Sequence, residues 1–385
     1  MNPAKPSLEL LRSLTDEHVL RSLIEERRLT RAEIASRTGI SKPTISDSVR
    51  RLTEAGLVRD TGQRTTGRGR VGSYYALADE LGVALVASIA PEGVVAEVID
   101  VYGEVMARAS HQVARPAEPE QLAGALEAAA HQVVTAVGGP ARLAVVSAAD
   151  PVDRDTGRLV QLPYAPFLIG ELSPADVLGP MVDGPVTVDN DVNWAAGIER
   201  ASAGRGAYDD FGYLYLGEGL GCAVVADGMV RRGTTGIAGE IAHVITTAPD
   251  GRAVPFIDVF ADLGLLQPGS TAIDVTALLS VVERDDDEAD RRRTTLGMAI
   301  SGVIVAIIAL TDPQLVVLGG SWGAHPRIRQ AVRESLGTQP RAVPVRPPQV
   351  VTEPSLAGAR QRALDDLQTL LTRPADGAGR VASGF

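Results

Sequence analysis

The sequence predicts a winged helix-turn-helix head followed by a duplicated α/β body. Two observations predict it. A basic stretch from Thr15 to Leu77, carrying helix caps at helix-turn-helix spacing, fronts a chain of net charge −11. After it, a strand-strand-strand-helix-strand-helix order occurs twice.

The head is legible residue by residue. Thr15 is placed to cap a helix whose apolar residues Val19, Leu20, Leu23 and Ile24 share one face. Thr30 and Glu33 have capping-box spacing and open a short helix with Ile34 and Ala35 inward. Gly39 supplies the turn. Ser41 caps the next helix, where Pro43 is tolerated in the first turn. Ile45, Val49 and Leu52 form that helix's buried stripe. Its opposite face carries Pro43, Asp47 and Arg50, flanked by Lys42, Thr44, Ser46 and Arg51, and is suited to a major groove. Gly56 ends the helix, and the run from Thr61 to Leu77 predicts a two-stranded wing with Arg68 and Arg70 at its tip, poised for a minor groove.

Charge agrees with this reading. Between Arg27 and Arg70 there are eleven basic residues, Arg31 among them, against four acidic ones, a net of +7. Positive charge concentrated on an acidic protein is an electrostatic footprint for phosphate. A three-helix bundle without DNA affinity is the alternative for the same pattern.

Composition bounds the rest. The length of 385 residues suggests two or three domains, and 45% apolar content supports sizeable cores. Aromatics are only 4%, so aliphatic residues must fill those cores. The single cysteine, Cys222, excludes a disulfide framework, and no N-terminal stretch reads as a signal peptide. A cytoplasmic, nucleoid-associated protein is expected. The longest apolar run, Met298 to Leu310, is short for a bilayer and reads as a buried helix.

In the body, strands are expected over Val83–Ile89, Val94–Val101 and Glu104–Ala109, a helix over Gln121–Val137, then strands over Leu143–Ser147 and up to Val188, with a helix opening near Asp189. The order then repeats with strands Phe211–Leu216, Gly221–Ala226 and Met229–Arg232, a buried helix from about Arg293 to Leu310, strand Leu315–Leu318 and a helix from Pro326. The expected division is 1–80 for the head and 81–385 for the body, with a boundary between two lobes near 195–210.

Four segments converge on one chemistry. Val188 to Asn193 places acidic and amide groups at a strand-to-helix junction. Gly217 to Cys222 is a glycine-rich hairpin, Gly236 to His243 sets Glu240 and His243 three apart, and Leu315 to Gly320 ends a strand in a glycine pair. In this order, behind the head, they resemble the ROK family of repressors, open reading frames and sugar kinases, from about Leu14 to Leu370. The resemblance implies a two-lobed actin/hexokinase-like fold and a homodimer or higher homo-oligomer. It also implies that Asp191 stands where kinases keep their general base, and that Asn190, Glu240 and His243 hold sugar hydroxyls. Asp258 falls near another sugar-binding acid of the family. A capping role for Asp191 and a core position for His243 are the structural alternatives.

The chain departs from the family where phosphate chemistry is done. The D-x-G-G-T turn that clamps phosphate is replaced by Ser88-Ile89-Ala90-Pro91-Glu92, which removes glycines and an amide donor and adds a carboxylate. The stretch from Val244 to Phe260 contains none of the family's zinc-binding cysteines, so neither zinc nor another cofactor is expected. Ala149-Asp150-Pro151-Val152-Asp153 replaces a P-G-x-V-D loop, and Ala242 replaces a glycine. These residues and the resemblance predict a DNA-binding repressor of carbohydrate-related genes that senses a sugar or related metabolite through a catalytically degenerate body. An active sugar kinase with a DNA-binding head and a regulator with a vestigial pocket are the rival readings.

Overall fold

The computed structural model describes residues 8–65, 72–162, 167–168, 170–204 and 206–372. Two compact units divide the chain. One runs to Ala84 and adds Ile99–Met106 and the chain from Ala363; the other comprises Leu85–Val98 and Ala107–Arg362.

The first unit contains α1 (Leu8–Glu26), β1 (Arg28–Thr30), α2 (Arg31–Thr38), α3 (Lys42–Glu54), β2 (Val58–Arg64) and β3 (Ser73–Leu77). The capping box forms in both directions: Glu33 N donates to Thr30 Oγ1 at 3.2 Å and Thr30 N donates to Glu33 Oε2 at 2.7 Å. Gly39 adopts φ 71° and ends α2, a conformation that glycine enters without a Cβ penalty. Ser41 caps α3. Val19, Leu23, Ile34, Ile45 and Val49 are fully buried and form the core of the three helices.

Two details differ from the sequence reading. Thr15 does not cap α1; the helix already runs from Leu8, and the Thr15 hydroxyl donates to the Leu11 carbonyl at 2.8 Å. A hydroxyl within a helix satisfies itself on the preceding turn, so a Thr ahead of an apolar stripe does not by itself mark a start. The wing is also part of a three-stranded sheet of order β1-β3-β2. Its edge strand, Arg28–Thr30, is too short to show a period.

The unit does not stop at residue 80. Arg27 pairs with Glu104 at 2.5 Å and lies over the Tyr102 ring at 4.8 Å. Gln368 donates to the Val101 carbonyl at 3.0 Å. These long-range contacts draw a turn and the end of a helix, both from the expected body, into the first unit.

The second unit is built mainly on two sheets. The strands of the first are β4 (Ala84–Ala90), β5 (Gly93–Ile99), β6 (Val105–His111), β7 (Leu143–Ala148) and β8 (Val186–Asn190), with α4 (Pro119–Ala136), α5 (Pro174–Leu178) and α6 (Asp191–Ala203) between and after them. The second sheet has β9 (Phe211–Leu216), β10 (Leu220–Ala226) and β11 (Met229–Val230). A short hairpin of β12 (Ile245–Thr247) and β13 (Ala253–Pro255) follows, then α7 (Phe256–Asp262), α8 (Val275–Val282) and α9 (Asp287–Thr311). The chain continues through β14 (Leu315–Gly319), α10 (Pro326–Leu336), β15 (Val345–Arg346) and α11 (Pro354–Thr372).

The sheet orders are β6-β5-β4-β7-β8 and β11-β10-β9-β14-β15. The two orders correspond term by term, as the repeated element order leads one to expect. In each, the fourth strand pairs in parallel with the fifth. The chain passes from the first sheet to the second through α6, between Asn190 and Phe211. At 25 residues, α9 is long and apolar enough to cross a membrane. Its Leu296, Ala299, Ile300, Val303 and Ile304 are nevertheless fully buried in the second lobe's core. The stretch lacking the zinc cysteines is held by aromatic packing instead: Phe256 meets Phe260 at 5.4 Å, and Phe260 meets Trp322 at 5.5 Å.

Candidate functional site

The head's candidate DNA interface is the outer face of α3. Ile45, Ser48, Val49 and Leu52 turn inward, which leaves Ser41, Lys42, Pro43, Thr44, Asp47 and Arg50 exposed and Ser46 partly so. Arg50 lies along the helix surface, 3.3 Å from Glu54 and 3.9 Å from Asp47. Such exposed pairs are weak and exchange readily for phosphate. Arg31 opens α2 with its guanidinium 4.8 Å over the Tyr75 ring. Arg51, expected to flank this face, is half-buried. It pairs with Asp16 of α1 at 2.6 Å, and the buried Ser48 hydroxyl donates to the same carboxylate. The partner lies 35 residues away, beyond the reach of local helical spacing. Arg68 and Arg70 lie outside the described residues.

The body's candidate site is a cavity of about 240 Å³ in the second unit, lined by residues including Asn190, Asp191, Glu240 and His243. The β8–α6 junction builds one side. Asn190 caps α6, its Oδ1 accepting from Val192 N at 3.0 Å. Its Nδ2 reaches the carbonyls of Ala148 and Asp150 at 3.4 and 3.3 Å. Asn190, rather than Asp191, therefore caps the helix. Its amide is largely spent on the scaffold, and the Asp191 carboxyl is left for the cavity. Asp189, one residue earlier, is tied off by Arg232 at 2.6 Å and Asn193 at 2.7 Å.

Glycines bring the opposite wall close. Gly239 has φ 100°, and a Cβ there would lie 1.8 Å from the Cys222 carbonyl oxygen, so only glycine lets this segment lie against β10. Gly239 O also accepts from Cys222 N at 2.9 Å. Glu240 follows directly and faces the cavity. Asp258 is exposed on α7 and is not among the lining residues; its neighbour Ile257 is. The helical rotation of one residue places the apolar side chain inward and the acid outward.

Sequence reasoning did not select Asp150, Glu92, Tyr215 or Glu218 as ligand-facing residues, yet all four line the cavity. For Glu92 and Asp150 the available signal was an acid at each of two departures from the family pattern. Glu218 is held by Arg115 at 2.9 Å. Withdrawal from water raises the Asp191 carboxyl to about 7, with the neighbouring charges of Asp150, Glu240 and Glu92 adding to the rise. Burial likewise raises Glu240 to about 7, helped by Asp150, and Asp150 itself to about 6.

Two predictions follow from these geometries. Arg50→Ala lowers affinity for duplex DNA and reduces the salt slope by about one, leaving the melting temperature unchanged. Arg51→Ala instead destabilises the head by about 1–2 kcal/mol, because it strips a partner from Asp16. Equal effects of the two changes on melting would contradict the assignment. The carboxyl shifts set a pH dependence. Raised folded-state values mean that the fold holds protons the unfolded chain has released, so stability from these groups is full below about pH 4 and is lost as pH rises through about 7. Asp191→Asn accordingly raises the melting temperature at about pH 7.5 by roughly 2–4 °C or more, and by less at about pH 5. A shift of the same size at both would show that Asp191 does not carry the penalty.

Comparison with known proteins bears on both sites. Residues 92–255 match the ROK family model, and residues 12–59 match a winged helix-turn-helix DNA-binding model. The bifunctional enzyme NanE/NanK of Brucella suis is 28% identical over 164 residues, 42% of this chain and 31% of that protein; the chain therefore spans only about a third of the length of that relative. The xylose repressor of Bacillus subtilis is 19% identical over 341 residues, covering 86% of this chain and 88% of the repressor. A solved structure of a ROK family transcriptional regulator, a homologue of the E. coli MLC protein, aligns with a TM-score of 0.63 at 17% identity over 94% of this chain and 99% of that one. The chain carries a ROK family domain behind an N-terminal winged helix-turn-helix DNA-binding domain.

Proposed function

We propose that the chain is a transcriptional repressor of carbohydrate-related genes whose ROK domain senses a sugar or sugar derivative and transfers no phosphate. One observation carries this reading. The cavity gathers the hydroxyl-pairing Asp191, Glu240 and His243, but Glu92 enters the same lining from the turn where the resemblance expects a phosphate clamp. A carboxylate there repels a polyphosphate, and Pro91 beside it has no amide to offer one. Positioning and charge neutralisation are nearly all of phosphoryl-transfer catalysis, so losing them removes most of the rate.

The ligand is read as an effector. Binding one conformation better than another shifts occupancy of the operator without any chemistry. A homodimer would set two copies of α3 on a two-fold axis to read a pseudo-palindrome. The reading requires no metal or cofactor and places the protein in the cytoplasm, on the nucleoid.

One observation favours the rival kinase reading: a carboxyl raised to about 7 at Asp191 is suited to accept a hydroxyl proton. A coupled ADP-release assay across hexoses, pentoses and amino sugars separates the two. No turnover above a no-enzyme control is expected. Sugar-dependent ADP release that Asp191→Asn abolishes would establish the kinase and overturn the proposal.

A further inference from the structure

The chain treats its buried acids in two ways. Glu97, 1% exposed, receives Arg108 at 2.5 Å and Arg360 at 2.7 Å. Asp189 receives Arg232 and Asn193. Glu199, fully buried, accepts the backbone N–H groups of Gln349 at 2.9 Å and Val350 at 3.2 Å. Asp150 is 2% exposed; its carboxyl takes the backbone N–H of Leu168, but its Oδ1 has no hydrogen-bond partner. A buried carboxylate oxygen left bare costs more than almost any other polar defect. The three paired acids hold the scaffold together. Asp150 instead lines the cavity.

Its surroundings sharpen the point. Glu92, Asp191, Glu218 and Glu240 line the same space, and no arginine or lysine is among the described lining residues. Arg115 is engaged by Glu218. The other titratable groups facing the cavity are His243, Tyr215 and Cys222. Two of the acids, Glu92 and Asp150, occupy positions where the family pattern has no acid.

We propose that the cavity takes a polyhydroxylated ligand bearing a protonated amine, an amino sugar with its nitrogen unacylated, and that it rejects phosphate esters. The ammonium pairs with the Asp150 carboxyl, which turns to meet it, while Asp191, Glu240 and His243 pair with hydroxyls. This inference rests on the sugar-sensing reading and narrows it. The raised carboxyls of Asp150, Asp191 and Glu240 release protons as the cation binds, so affinity for the amine increases between about pH 6 and about pH 7, the window of those values.

The test is isothermal titration of the full chain with glucose, glucosamine, N-acetylglucosamine and the phosphate ester of glucose, and with the galacto and manno counterparts of each. In the preferred stereochemical series the free amine binds about tenfold or more tightly than its neutral parent, as expected for one charge-assisted hydrogen bond. Acylation removes that advantage, and the phosphate ester does not bind. The amine's affinity rises with pH and the parent's does not. Asp150→Asn brings the amine-to-parent ratio close to one; if that variant does not fold, the unmodified chain decides through the panel alone. A neutral sugar binding as well as its amine, or a bound phosphate ester, would overturn this inference and leave sugar sensing intact. No binding by any member would overturn both.

Discussion

The candidate site depends on how one amide is used. Asn190 ends a strand, caps the following helix and holds the carbonyls of Ala148 and Asp150. These bonds join the ends of two neighbouring parallel strands to the start of α6. They position Asp191 at the first turn and the Asp150 loop beside it. An amide has two donors and an acceptor in one plane, so it can do all three tasks where a carboxylate could not. The identity of the ligand-facing groups follows from that geometry, and Asn190 is mainly their scaffold.

The same junction concentrates cost. Asp150, Asp191 and Glu240 are all pushed towards neutrality by withdrawal from water and by one another. Elsewhere the chain meets such costs with arginine or backbone amides, as at Glu97 and Glu199. In this cavity the backbone N–H groups of Leu168 and Val192 meet them only in part, which is destabilising, and proteins retain such strain where binding relieves it. The head follows a different economy. Its core is aliphatic and its caps are local, so α3 can present an exposed polar face at little cost in stability.

Much of this was legible from local pattern. The Thr30–Glu33 box, the Ser41 cap and the Ile45, Val49, Leu52 stripe involve residues within a turn or two of one another, and all form as read. Body strands such as Ala84–Ala90 and Leu315–Gly319 were legible because they are apolar runs close to glycine or proline. What escaped depends on distant partners or on rotation. Arg51 finds Asp16 across 35 residues, and Arg27 finds Glu104 across 77. Asp258 differs from Ile257 by one step around α7, which no motif register resolves. Asp150 shows no periodicity at all. Its importance comes from one carboxylate oxygen left without a partner, which is visible only in three dimensions.

The central claim is that cavity and head communicate through ligand binding, without chemistry. The most direct measurement is operator affinity of the full chain, on a duplex recovered by genome-wide mapping of bound sites, with and without a saturating cavity ligand. Coupling predicts a loss of operator affinity of about tenfold or more, and, by linkage, an equal loss of ligand affinity when operator is bound. An operator affinity that stays the same while the cavity is saturated would contradict the account.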